Sequence, residues 1–249
     1  MQNNVNAIVS SDYGPIIVNV HDSAIGKHII DLGYWAIDDV NLIKELISIQ
    51  LENLDTISFY DVGSNIGTHS LAVSKTFGDK ITIRAFEAQR QIYNMMCGTM
   101  AINNITNVRC HLNAISTIAN EEIKIHLPDY NQNNNFGSLE LVPPIKSDNH
   151  RLIKSNFELI KTTTIDSFEE RVDFIKMDIE GMEDKALLGG VNTIEQYRPI
   201  VFIEIIKSNS PFIQDFFKNR NYHGFRKGYD LIAIPIEYKL DLPRISRIF

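Results

Sequence analysis

From residue 57 onward the apolar positions fall into short continuous runs separated by longer segments of helical spacing. Runs at 57–62, 81–86 and 107–112 have the length and unbroken apolar character of strands buried on both faces, and residues 68–77 and 89–103 between them read as helices. The rhythm resumes later: a strand over 157–164, a short helix over 166–170, a buried strand over 172–177, a helix over 183–196 and a strand over 200–205. A helix near 210–219 and strand-like pieces at 222–225 and 231–236 complete it. Apolar strands joined by helices of this length imply right-handed βαβ crossovers. The expected fold class is therefore α/β, a mostly parallel sheet with helices on both faces.

Two regions depart from this rhythm. Residues 1–55 read as an N-terminal extension with a short hairpin (Ile16–Asn19, then a turn region His21–Lys27). It also holds an amphipathic helix carrying Val40, Ile43, Leu46, Ile47 and Leu51, with Asp38 or Asp39 at its N-terminal end. Residues 56–249 form the main domain. Within it, 121–127 alternates like a half-exposed strand. An irregular, polar stretch near 128–156 follows, rich in asparagine and containing Pro143-Pro144. A connection of that length reads as a mobile substrate-side flap or as an insertion without a role.

Composition narrows the classes. With a net charge of −7 and scattered basic residues, nothing suggests affinity for nucleic acid or anionic membranes. No secretory leader or membrane-length apolar run is evident, and Cys97 and Cys110 lack both disulfide-framework and metal-ligand spacing. The chain reads as cytoplasmic, with no membrane insertion.

The chemistry gathers at strand ends. The run Phe59-Tyr-Asp-Val-Gly-Ser-Asn-Ile-Gly67 sends a buried strand into a tight turn carrying Gly63, Ser64, Asn65 and Gly67, and the next strand ends twenty residues later in Glu87. Small turn residues admit a nucleoside cofactor, and a carboxylate at the second strand end accepts hydrogen bonds from ribose hydroxyls. The turn is not the G-x-G-x-x-G of dinucleotide sites, and Asp61 would repel a phosphate. S-adenosylmethionine, with a ribose, a cationic methionine end and no phosphate, suits it. Taken alone, the glycines are equally explained by a sharp turn and close helix packing.

A second constellation lies in Asp173-Phe-Ile-Lys-Met-Asp-Ile-Glu-Gly181 and Pro199-Ile-Val-Phe-Ile-Glu204. Asp178, Glu180 and Glu204 converge on the same carboxyl-end rim, where open parallel sheets bind ligands. Charged groups in apolar strands are costly unless paired or used. The plainer alternative makes Asp178 a helix cap and pairs Glu204 with Lys176 or Arg198. The three carboxylates also offer hard oxygen ligands of the kind magnesium takes, although no metal is assigned.

Taken together, these residues resemble the FkbM family of S-adenosylmethionine-dependent methyltransferases. The resemblance runs through the two segments above together with Ala85-Phe-Glu-Ala88, Asn103-Asn104, Asn113-Ala-Ile-Ser116, Thr163-Thr-Ile-Asp166 and Arg198-Pro199, over roughly residues 55–205. It implies a class I methyltransferase-like (Rossmann-like) fold. Asp61, Gly63, Ser64, Asn65 and Gly67 would line the methionine end of the cofactor, Glu87 would hold the ribose, and Asn113 and Ala114 would flank the adenine. Asp178, Glu180 and Glu204 would act at the reacting centre. The acceptor implied is a hydroxyl of a sugar, glycan or related small molecule, with Asn135 and His69 as acceptor contacts. Ser64 and Ala88 replace the family's usual Ala and Pro. His69, His126 and His150 are further proton-acceptor candidates.

Other classes have weaker support. A short-chain type NAD(P)-dependent oxidoreductase needs Tyr-x-x-x-Lys, and no tyrosine here has lysine four residues on. Pro143-Pro144 is followed by isoleucine, where base-flipping amino-methyltransferases carry an aromatic residue. A non-catalytic nucleotide- or ligand-binding protein on the same fold stays open.

Overall fold

The structure, a computed structural model, describes residues 5–140 and 152–249, with residues 152–156 described by their backbone alone. The chain opens with a hairpin, β1 (Asn6–Val9) and β2 (Ile16–Asn19), then helices α1 (Ile25–Leu32) and α2 (Ile37–Gln50). The alternating part follows as β3 (Ile57–Val62), α3 (Thr68–Phe77), β4 (Ile81–Glu87), α4 (Arg90–Ile102) and β5 (Val108–Leu112). Three strands then form a separate sheet: β6 (Ala114–Ile115), β7 (Glu122–Pro128) and β8 (Leu152–Thr163). The chain ends with β9 (Phe174–Met177), α5 (Glu183–Leu188), α6 (Val191–Tyr197), β10 (Ile200–Glu204), α7 (Ser210–Lys218), β11 (Tyr222–Lys227), β12 (Asp230–Pro235) and β13 (Ser246–Arg247).

The main sheet has eight strands in the order β13-β11-β12-β10-β9-β3-β4-β5. The run from β10 to β5 is parallel throughout, while β12 lies antiparallel to both β10 and β11. The order of strands reverses at β3: β4 and β5 lie on one side of it and β9 and the strands after it on the other. This leaves a crevice at the carboxyl ends of β3 and β9.

The apolar runs of the central strands are explained by burial on both faces. Tyr60, Ile175 and Val201 point into one core with Ala186, Leu187, Ile213 and Phe217 of α5 and α7. Their neighbours Phe59, Phe174 and Phe202 point into the other, with Ile43, Leu46 and Ile47 of α2. The amphipathic helix read in the extension therefore covers the main sheet. A third core joins the hairpin and α1 to α3, α4 and Phe136.

Several local expectations change. The first hairpin pairs Ile16–Asn19 with the preceding Asn6–Val9, and the expected turn at 21–27 instead starts α1. Asp22 accepts from the backbone N–H of Ala24 and Gly26 there, and Gly33 ends the helix in the left-handed conformation. The single helix expected over 183–196 is two. A Cβ at Gly189 would sit 2.1 Å from the Ser116 carbonyl oxygen, so the backbone breaks where it passes β6. Asp166 then supplies acceptors to the N–H groups of Asn192 and Thr193 at the start of α6.

Residues 129–140 are tied to the N-terminal hairpin region. Ser23 N–H donates to the Asn134 carbonyl, Asn134 N–H to that of His21, and the Asn19 amide to that of Tyr130. Phe136 is fully buried. Pro143-Pro144, His150 and the rest of the expected flap up to 151 lie outside the described residues. Among the described residues no helix is long and apolar enough to cross a membrane.

Candidate active site

A cleft of about 1050 Å³, open to solvent at its mouth, occupies the crevice. The turn after β3 gives it Gly63, Ser64 and Asn65, the start of α3 gives Thr68 and His69, and the end of β4 gives Phe86, Glu87 and Gln89. Asn113, Ala114 and Ile115 lie beyond β5, and Lys176, Asp178 and Glu180 come from the end of β9. Glu204 ends β10. Asn135 and Leu139 enter from the segment after β7, and Ala24, Ile25 and Trp35 enter from the N-terminal region.

The turn after β3 is shaped by backbone contact. Gly63 has φ +78°, and a Cβ there would lie 1.8 Å from the Asp178 carbonyl oxygen. The N–H groups of Gly63 and Ser64 both donate to the Phe86 carbonyl, which holds the turn against β4. Gly67 is left-handed too, but it faces α4: a Cβ would meet Met100 Cε at 2.6 Å. Of the residues expected around the cofactor, Gly67 therefore lies outside the cleft lining, as does Asp61.

Asp61 is fully buried beneath the floor. Its Oδ2 accepts from the Ser70 hydroxyl at 2.6 Å, and its Oδ1 lies 3.8 Å from Lys176 Nζ without a hydrogen bond. Lys176 is itself buried. It donates to the Gly63 carbonyl at 3.0 Å and stands 3.6 Å from Asp178 Oδ2. Burial opposes its charge, but the fields of Asp178, Asp61, Glu204 and Asp230 outweigh that and hold its pKa above the usual lysine range. The pairing of Glu204 with Lys176 or Arg198 weighed from sequence does not form, because Arg198 forks onto Glu237. Lys176 was legible as a charge in a buried strand; its partners were not.

Glu87 is 7% exposed and borders the cleft. Its Oε1 accepts from Gln89 N–H at 2.8 Å and its Oε2 from Asn65 N–H at 3.1 Å. Each oxygen keeps a lone pair for a ligand. Burial pushes its pKa up to about 7 despite the opposing pull of nearby backbone donors. Asn113 and Ala114 also border the cleft, with the Asn113 amide donating to the Lys161 carbonyl. The Asn135 side chain accepts from Gly137 N–H at 3.2 Å.

The acidic end divides its carboxylates among different tasks. Glu180, left-handed at φ +56°, pairs with Lys207 at 2.5 Å, and burial raises its pKa to about 7. Lys207 also donates to the Ser138 carbonyl at 3.1 Å, linking the β9 turn to the segment after β7. Glu183 accepts from the N–H of Ile179 and Gly181 and from the Ser208 hydroxyl, so its carboxylate braces that turn. The Glu204 carboxylate has no hydrogen bond or ion pair among the described residues. Burial, then the charges of Asp178, Glu180, Glu183 and Asp230, push its pKa up to about 8. Asp178, Glu183 and Glu204 each place an oxygen within 4.8 Å of the others, a spacing a hard divalent cation tolerates. In that grouping Glu183 stands where the sequence suggested Glu180.

His69 is 8% exposed, and its ring makes no hydrogen bond among the described residues. Burial and then the Lys176 charge drive its pKa down to about 3, so it is neutral across the ordinary pH range. His126 pairs with Phe157 in the small sheet and does not border the cleft.

Comparison with known proteins puts this architecture in context. A structure of methyltransferase FkbM from Methylobacillus flagellatus KT superposes with a TM-score of 0.50 at 19% identity, covering 72% of this chain and 44% of that one. Trm5b from Pyrococcus abyssi gives a TM-score of 0.50 at 10% identity, over 93% of this chain and 56% of that one. The chain thus spans about half the length of these proteins, and the likeness is one of fold. None of the curated proteins compared with the chain matches it. The methyltransferase FkbM domain matches residues 61–231, well over half of the chain and including both strand-end constellations. The chain belongs to the FkbM methyltransferase family.

Proposed function

We propose that this chain methylates a hydroxyl group of a sugar, glycan or related small molecule. The observation that carries the reading is the polarity of the cleft. One end offers a buried carboxylate with free lone pairs, Glu87; the other offers Glu204, a carboxylate of raised pKa without a partner among the described residues.

The methyl donor in this reading is S-adenosylmethionine, and the residues present fit it. Glu87 would take the ribose hydroxyls, the turn 63–65 would face the methionine end, and Phe86, Asn113, Ala114 and Ile115 would flank the adenine. The carboxylates around the cleft suit a ligand carrying a sulfonium and an ammonium. When bound, the cofactor supplies a methyl group already activated for in-line displacement, so positioning and proton removal are what the protein must add.

Glu204 is the best proton acceptor for the hydroxyl. A carboxylate with a pKa near the working pH combines adequate basicity with partial ionisation, whereas His69, with a pKa near 3, is too weak a base. Neutral His69 instead can donate or accept a hydrogen bond that orients the hydroxyl. Glu180 is held by Lys207, and Asp178 faces Lys176. Lys176 keeps the β3 turn and the β9 end in register through Gly63 and Asp178.

The test is incubation of the chain with S-adenosylmethionine and a panel of glycosides, with methylated products read by mass spectrometry. Methyl ethers on hydroxyls support the reading. Binding of S-adenosylhomocysteine with no transfer to any hydroxyl, or transfer to nitrogen alone, refutes it.

A further inference from the structure

We propose that Trp35, carried by the segment ahead of the family domain, is the platform on which the acceptor's sugar ring lies, and that the site selects neutral or amino-bearing rings over acidic ones. The inference rests on the transferase reading above and names what that reading leaves open: which part of the chain recognises the acceptor.

Trp35 is the chain's single tryptophan, and it borders the cleft although it lies outside residues 61–231. It is held from several sides. The Tyr13 hydroxyl donates to its carbonyl at 2.9 Å, and Asp12 N–H fixes the same loop through the Gly33 carbonyl at 2.8 Å. The His28 ring meets the indole edge-on, centroids 5.4 Å apart at 87°. The next residue, Ala36, has φ 49°, a left-handed conformation that costs a non-glycine residue roughly 1 kcal/mol or more and persists only where its surroundings enforce it. An indole fixed this firmly at the edge of a ligand cleft is a preorganised contact surface.

Its position along the cleft indicates what it touches. Four residues on, in the first turn of α2, Asp39 pairs with Lys227, and its charge is felt at His69 and Asp230. Asp230 is the register partner of Glu204. The segment that follows Trp35 thus runs beside the His69 and Glu204 side of the cleft, and the proposal assigns Trp35 to that side, where the acceptor must lie.

The chemistry of that end matches a sugar ring. A pyranose presents an apolar C–H face to an indole, and its edge hydroxyls donate to carboxylates such as Asp178 and Glu204. A ring bearing a carboxylate or phosphate would bring a like charge among Asp178, Glu204 and Asp230. Burial first, and then the neighbouring carboxylates, already raise the pKa of Glu204 there. An ammonium would be welcome both at the carboxylates and over the indole face.

Because Trp35 is the sole indole, its fluorescence reports the subsite directly. The experiment titrates the full chain saturated with S-adenosylhomocysteine with methyl glucoside, methyl glucosaminide and methyl glucuronide at matched concentrations. Trp35→Ala and Trp35→Phe are then compared in transfer assays on the best acceptor. Expected are a saturable emission change with the neutral or amino glycoside and none with the glucuronide. Trp35→Ala should raise the acceptor KM about tenfold, and Trp35→Phe should restore most of the loss. Unchanged S-adenosylhomocysteine affinity in both variants certifies that they are folded. If the emission ignores every glycoside and Trp35→Ala leaves the acceptor KM unchanged while S-adenosylhomocysteine still binds, the inference falls and the transferase reading stands. If S-adenosylhomocysteine does not bind the native chain, the transferase reading falls and takes this inference with it.

Discussion

Replacing Glu87 separates its part in the fold from the cofactor-holding role proposed for it. In the native cleft each oxygen accepts one backbone N–H, from Gln89 at 2.8 Å and Asn65 at 3.1 Å, on a residue 7% exposed. Glu87→Ala strands both donors. At roughly 1–3 kcal/mol for each unsatisfied buried group, and with water free to enter from the open cleft, the low end applies, about 2–3 kcal/mol. For a chain of this size that lowers the melting temperature by about 4–12 °C. Glu87→Gln keeps one acceptor and should cost about half as much. Ligand affinity falls further, because the hydrogen bonds from ribose hydroxyls to a charged acceptor, about 1.5–3 kcal/mol each, are lost or weakened. One such bond corresponds to roughly ten- to hundredfold in Kd.

The raised pKa adds a second signature. Glu87 is protonated below about pH 7, and the ionised form is the better acceptor for ribose hydroxyls. Native affinity for S-adenosylhomocysteine should therefore rise as pH passes from 6 to 8, and Glu87→Gln should flatten that rise. Calorimetry across this range, paired with thermal melts of the ligand-free proteins, provides both readings. Native-like affinity in Glu87→Gln, or a native profile flat in pH, would refute the role given to this carboxylate.

Three further outcomes are expected. Glu204→Gln should lower kcat by about 10²–10⁴-fold with little change in S-adenosylhomocysteine affinity, and native kcat/KM should climb with pH through about 8; equal turnover in the variant sinks the assignment. The same raised pKa means that the folded state favours the protonated carboxyl. Stability of the ligand-free chain is thus greatest at low pH, falls as pH rises from about 4.5 toward 8 and levels off above it, a slope that Glu204→Gln should reduce in thermal melts. Lys176→Met leaves fully buried Asp61 and its neighbour Asp178 without their cation, a loss of about 3–5 kcal/mol, so the melting temperature should drop by roughly 10 °C, partly recovered by adding Asp61→Asn. Gly63→Ala must push the β3 turn off the Asp178 carbonyl, and a variant melting within a degree or so of the native chain would show that the close approach is misjudged.

The alternating core was legible because its strands are buried on both faces, which writes burial into the sequence as unbroken apolar runs. β3 and β10 were read to within a residue, and α3 at its observed bounds. The same logic put Glu87, Asp178 and Glu204 at carboxyl ends, since the last residue of such a run must face the crevice. Helix α1 escaped although its punctuation, Asp22 before it and Gly33 after it, is present in the sequence; eight residues carry too little periodicity to stand out. The break between α5 and α6 escaped because a glycine pair inside a helical pattern does not say what approaches it, and only the passage of Ser116 demands it.

What the sequence by itself determined is the parallel sheet and the carboxylates at its rim, properties set locally by apolar runs and where they stop. What only the tertiary structure decided is the division of labour among those carboxylates. Asp61 sinks under the floor with Lys176, Glu183 braces a turn, Glu180 takes Lys207, and the Glu204 carboxylate has no partner among the described residues. Trp35 enters from a segment distant in sequence for the same reason. A charge or ring acquires its role from the groups packed within a few ångströms of it, and long-range packing alone decides which groups those are.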